Sequence, residues 1–69
     1  MAVLGRYPRY PKLIVAIEKQ GLTRKDVAVS VGISKSKMTR IIYGEIELSF
    51  ELAKSIALRL NEKVENLFY

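Results

Sequence analysis

The sequence predicts an all-α fold of five short helices, and three observations predict it. Start and stop signals alternate along the chain: Thr23, Ser34 and Ser49 are N-capping types, while Gly21, Gly32, Gly44 and Asn61 stand where helices would end. Between these signals the apolar residues recur at helical spacing, and no stretch alternates as a strand does. Sixty-nine residues without a cysteine make one small domain, which its core alone must hold.

Residues 1–10 read as an N-terminal arm, because Gly5 and the Tyr-Pro pairs at 7–8 and 10–11 disfavour helix. The domain proper then covers 11–69. Pro11 suits a first helical position and Gly21 an end, which sets the first helix at 11–20 with Leu13, Ile14 and Ile17 inward. A second helix runs from Arg24 to about Val31. Thr23 caps it, Asp26 bonds back to the cap, and Leu22 with Val27 forms a hydrophobic staple.

Gly32 takes a left-handed cap and the pattern repeats at once, with Ile33 and Met38 as staple and Ser34 as N-cap. The third helix is thus expected over Lys35 to Tyr43, before Gly44. Ser49 caps a fourth helix to about Leu60, whose inward stripe is Phe50, Ala53, Ile56, Ala57 and Leu60. Asn61 is its left-handed stop. A short fifth helix at 64–68 closes the core through Val64, Leu67 and Phe68.

The second and third helices, at about 24–43, form a pair joined by a tight turn. Val27, Val31, Ile33, Met38, Ile41 and Ile42 are its inward residues, and Ala28 is small enough to let two helices approach closely. On the third helix Ser36, Thr39, Arg40 and Tyr43 stand at i, i+3, i+4 and i+7. That outward face, with Lys35 beside it, contains no carboxylate.

Charge is uneven in the same sense. The chain carries 12 Lys/Arg and 7 Asp/Glu, a net of +5 with an isoelectric point near 9.8. Residues 1–44 hold nine basic and two acidic side chains, a net of +7, whereas residues 45–69 hold three and five, a net of −2. A basic half presenting an exposed helix face is the footprint of a polyanion binder; the competing reading is a solvated surface with chance asymmetry. Absence of both Cys and His removes thiol nucleophiles, imidazole bases and the usual zinc ligands, and the carboxylates are scattered. No enzyme, no metal site and no cofactor is therefore expected. Leu13 to Ile17 is too short to span a membrane and no leader pattern precedes it, which makes the cytoplasm the expected location. Neither linker nor repeat is visible, so no attached effector or small-molecule-sensing domain is expected.

The stretch from 23 to 43 resembles the helix-turn-helix of the Cro and lambda-repressor-like family, also called the xenobiotic-response-element family. Ala28, Gly32, Ser34, Gly44, Ser49, Leu60 and V-E-N-L-F at 64–68 stand at that family's spacing, and the likeness runs from about Leu13 to Phe68. It implies a compact five-helix domain that sets its third helix in the DNA major groove. Family members read bases from the positions of Lys35, Ser36 and Arg40, with Thr39 beside them, and Arg40 is the first choice for a bidentate guanine contact. Lys35 suits guanine or phosphate alike.

Phosphate contacts are expected from the helix N-termini at Thr23, Arg24 and Ser34, with Lys37 and Tyr43 as further donors. Relatives usually carry glutamine where this chain has Arg24. Many also pair a buried arginine with a buried glutamate where this chain has Ile17 and Ile42, from which we infer that the two isoleucines touch. Where relatives place basic or amide residues after the third helix, this chain has Glu45 and Glu47. That loop is expected to point away from DNA, or to weaken the complex.

Arg6 and Arg9 are candidate arm contacts to phosphate or a minor groove; the alternative is a disordered tail or one folded back over the core. One domain covers a half-site, so a homodimer on a pseudo-palindromic operator is expected, formed in solution or only on DNA. Leu67, Phe68 and Tyr69 are its candidate surface, set against a reading in which Leu67 and Phe68 are core. A small repressor acting by promoter occlusion is the first functional reading. The alternative is an antitoxin or anti-regulator of the same fold acting through a protein partner.

Overall fold

In the computed structural model, which describes residues 7–69, the helices are α1 (Pro11–Lys19), α2 (Arg24–Ser30), α3 (Lys35–Ile42), α4 (Phe50–Leu60) and α5 (Val64–Phe68). Each bound lies within one residue of the expected one. The caps explain the agreement. Thr23, Ser34 and Ser49 hydroxyls accept from the amides of Asp26, Lys37 and Leu52, all at 3.1 Å.

At the other ends, the chain turns back through a left-handed residue each time. After α2, Gly32 (φ +79°) donates to Val29 and Ile33 donates to Ala28, at 3.1 and 2.9 Å. After α4, Asn61 (φ +57°) and Glu62 repeat the pattern onto Leu58 and Ala57. The Val29 and Ala28 carbonyls of α2 and the Leu58 and Ala57 carbonyls of α4, orphans of their last turns, are satisfied in this way by backbone amides.

The core is built from one stripe of each helix: Leu13 and Ile17 of α1, Val27 and Ala28 of α2, Met38 and Ile42 of α3, Ile56, Ala57 and Leu60 of α4, and Leu67 of α5. Ile17 and Ile42 belong to this one cluster, 3 % and 0 % exposed. Two polar ties lock its periphery. Gln20 Nε2 of the α1 end donates to the Leu60 carbonyl, and Lys12 Nζ donates to the Tyr69 carbonyl at 2.9 Å.

Phe50 departs from its expected place in the inward stripe of α4. It is 65 % exposed, with Lys54 Nζ 5.6 Å from its ring centroid. As the first residue of α4 it lies past the end of the core, and Leu52, half-buried, packs against the core instead. Leu67 is 2 % exposed and lies in the core, so it drops out of the candidate dimer surface. Phe68 is half-buried with its ring edge-on to Tyr10, 5.0 Å between centroids, and Tyr69 is exposed. Among the described residues no helix is long and apolar enough to cross a membrane.

Candidate nucleic-acid interface

Local chemistry sets α2 against α3. Ala28 is fully buried, and the left-handed Gly32 turns the chain so that only the four residues 31–34 separate α2 from α3. Met38, Ile41 and Ile42 face inward with no exposure at all. The helical period then leaves the opposite side of α3 to solvent. There Lys35, Ser36 and Arg40 are exposed and Thr39 is half-buried, and all four line a single shallow concavity whose fifth member is Glu45.

The C-terminal end of α3 is held more tightly than the sequence alone implied. Gly44 (φ +75°) donates to Ile41 at 3.0 Å and Glu45 donates to Arg40 at 2.8 Å. The remaining carbonyl, that of Ile42, accepts from two amides of the arm, Arg9 at 2.7 Å and Tyr10 at 3.3 Å. Every carbonyl from Thr39 to Ile42 therefore has a backbone donor, Tyr43 serving Thr39. The outward face of α3 is consequently carried on a helix fixed at both ends.

Of the described part of the arm, Arg9 and Tyr10 fold back onto the domain, whereas Tyr7 is exposed. Tyr10 rests against Phe68, and Arg9 lays its aliphatic stem over Gly44 with its Nε 3.3 Å from the Tyr10 hydroxyl. Arg9 thus stands at the C-terminal end of α3, exposed but laid over Gly44, rather than at the tip of a free arm. Arg6 lies outside the described residues.

Of the two expectations for this loop, pointing away from DNA or weakening the complex, the place of Glu45 beside the outward face of α3 disfavours the first. Its carboxylate lies 3.8 Å from Arg40 Nε, inside the concavity that Lys35 and Ser36 also line. The signal was present in the sequence: a left-handed glycine brings the residue after it back beside the helix position five earlier. Glu47, also exposed, lines a second concavity with Arg9, Gly44 and Glu45.

Around this face the other expected residues divide into groups. Arg24 of α2 and Tyr43, the residue that caps the C-terminal end of α3, come together, the guanidinium carbon 5.8 Å from the ring centroid. Lys37 is exposed at the start of α3, where the Ser34 hydroxyl accepts its amide. The two helix N-termini are unequal. At α2 the Asp26 carboxylate accepts from the Thr23 amide at 2.9 Å, so an acid already stands where exposed amides were expected to face phosphate. At α3 no acid lies in the first turn. The Thr23 amide bond, then the Thr23 hydroxyl, hold the Asp26 carboxyl below its ordinary value, helped by Arg59 and Lys25. Arg59 itself reaches from α4 to donate to Ser30 Oγ at 2.9 Å, tying the back of α2 to the domain.

Phe50 and Tyr69, 65 % and 78 % exposed, flank an open groove with Tyr10, Leu48, Ala53 and Phe68 on its walls. Among the described residues no three His, Cys, Asp or Glu side chains come close enough together to hold a metal ion. What the site offers chemically is hydrogen-bond donors, cations and hydroxyls on one exposed helix face, with the Glu45 carboxylate at its edge. A family model described as helix-turn-helix matches residues 15–67, well over half of the chain. No curated protein and no solved structure matches it.

Proposed function

The chain belongs to the Cro and lambda-repressor-like, or xenobiotic-response-element, family of helix-turn-helix DNA-binding transcription regulators, and on that premise we propose that it is a small repressor that occludes a promoter by seating α3 in the major groove. One observation carries the proposal. Lys35, Ser36 and Arg40 stand exposed on the same short helix whose Met38, Ile41 and Ile42 are wholly buried. Donors that can reach base edges are thereby fixed to a rigid support, which is what direct readout requires.

In this reading Arg40 takes a guanine, Lys35, Ser36 and Thr39 sample neighbouring bases, and Arg24, Lys37 and Tyr43 hold phosphates, with the Thr23 and Ser34 hydroxyls at the helix starts. The cation–ring contact of Arg24 with Tyr43 supports a shared phosphate clamp across the two helices. Two copies acting on a pseudo-palindrome would meet through the groove between Phe50 and Tyr69, in the cytoplasm where the chromosome is reached.

Glu45 is the observation that favours a second reading, an antitoxin or anti-regulator, since an acid on this face suits a protein partner. Titrating labelled random duplex at two salt concentrations separates the two. A DNA regulator loses affinity steeply as salt rises, by counterion release, whereas a chain that shows no salt-dependent duplex binding is not one.

A further inference from the structure

We infer that Glu45 is a specificity-determining residue, positioning the Arg40 guanidinium so that it reads one base pair while weakening attraction to DNA in general. The inference rests on the DNA-binding reading above and names, within that site, the group that directs its chief reader.

By itself Glu45 is unfavourable twice over. An acid just past a helix C-terminus opposes the helix dipole, and an acid in a DNA-facing concavity opposes phosphate. Among its favourable contacts on that face is Arg40, at 3.8 Å. The placement is built into the backbone: Gly44 at φ +75° returns the chain so that the Glu45 amide donates to the Arg40 carbonyl at 2.8 Å. Main chain and side chain thus join the same two residues.

Geometry gives the pairing a direction. The Glu45 oxygen stands off Nε, on one edge of the guanidinium, and a planar five-donor fork tethered on that edge keeps its terminal nitrogens for guanine O6 and N7. The two side chains are 63 % and 45 % exposed, so the tether is weak in water. Water leaves as the helix enters a groove, and the same pair strengthens where the reading takes place. A fork already turned to its target has less freedom to lose on binding and fits a wrong base less readily.

Two effects of opposite sign follow from one carboxylate. Titrations by fluorescence anisotropy would use the preferred duplex selected from a random pool by the native chain, its single-base-pair variants and random duplex. Glu45→Ala is expected to bind random duplex several-fold more tightly, while discrimination at the base pair relaxed by Arg40→Ala falls about fivefold. Glu45→Gln keeps a polar oxygen beside Nε without the charge and should retain part of the discrimination. In an Arg40→Ala background, Glu45→Ala should no longer alter discrimination at any base pair. Unchanged thermal unfolding of the exposed-site variants serves as the folding control.

Equal tightening of Glu45→Ala on preferred and substituted duplexes, with discrimination intact, makes the carboxylate a repeller only and overturns the inference alone. Should the native chain select no preferred duplex, or Arg40→Ala relax no base pair, the DNA reading fails at its root and the inference falls with it.

Discussion

Arg9 lies across Gly44: a Cβ built on the glycine would stand 3.0 Å from Arg9 Cδ and 3.3 Å from Arg9 Cβ. Gly32 adopts nearly the same backbone conformation, φ +79° against +75°, yet has open space where its Cβ would be. The two glycines therefore separate strain from crowding. Gly32→Ala should cost about 1–2 kcal/mol, the ordinary penalty of a left-handed L-residue. Gly44→Ala should cost measurably more in urea melts, and Arg9→Gly should bring it down to the Gly32→Ala level. Equal costs in the native background would mean that Arg9 yields freely and does not brace the end of α3.

A second expectation concerns the core behind α3. Ile17 and Ile42 are buried in one cluster, at positions where the family resemblance implies an arginine and a glutamate in many members. A lone charge buried there has no partner, so Ile17→Arg and Ile42→Glu should each destabilise by about 3–5 kcal/mol. The double variant should recover part of the summed loss, since the new charges can pair. Strict additivity in denaturant melts would show that the two side chains do not meet.

The cap of α2 predicts a pH dependence. With the Asp26 carboxyl held below 3.8 by its bonds to Thr23, the folded state binds a proton less readily than the unfolded chain does. Its contribution is complete above the unfolded value and disappears as pH falls through the lower folded one, in the region below about pH 3.8. Asp26→Asn should accordingly be less stable than the native chain at pH 7, and the gap should narrow on acidification. A gap that is constant from pH 7 to pH 2.5 would exclude the carboxylate as its source.

These cases show which parts of the molecule the sequence states openly. Helix bounds were legible because caps are local chemistry: a hydroxyl at Thr23, Ser34 or Ser49 bonds an amide three residues away, and a left-handed Gly32 or Asn61 closes the helix it follows. The outward face of α3 was legible by the same token, through helical period alone. Phe50 escapes this kind of reading because periodicity says which side of a helix a residue occupies but not whether the core extends that far. The docking of Arg9 and Tyr10 on the Ile42 carbonyl joins segments more than 30 residues apart, and no local pattern encodes it. Glu45 lies between these extremes. Charge alone placed it away from the site, whereas the left-handed turn at Gly44 was enough to place it beside Arg40.

Base readers and phosphate holders should differ in kind when removed. Arg40→Ala should cost about 1–3 kcal/mol on the preferred duplex and relax preference at one base pair. Arg24→Ala should weaken preferred and random duplex alike and reduce the slope of log affinity against log salt by about one. Competition binding at three salt concentrations reads both quantities at once. Parallel losses for Arg40→Ala on both duplexes would assign it to the backbone and leave sequence reading to Lys35 and Ser36.

Phe50 and Tyr69 supply the last test, because apolar rings exposed at 65 % and 78 % beside an open groove have little to do with the stability of the single chain. Truncating Phe50 removes its ring from solvent and from a contact with Lys54, both minor terms, so Phe50→Ser should leave the unfolding midpoint of a dilute sample nearly unchanged. If two copies meet there, the same variant should lose cooperative binding to a duplex with two half-sites while keeping its affinity for one. Tyr69→Ser should behave alike, and combining the two should add little once the interface is gone. Undiminished cooperativity in both variants would move the contact between copies to another surface.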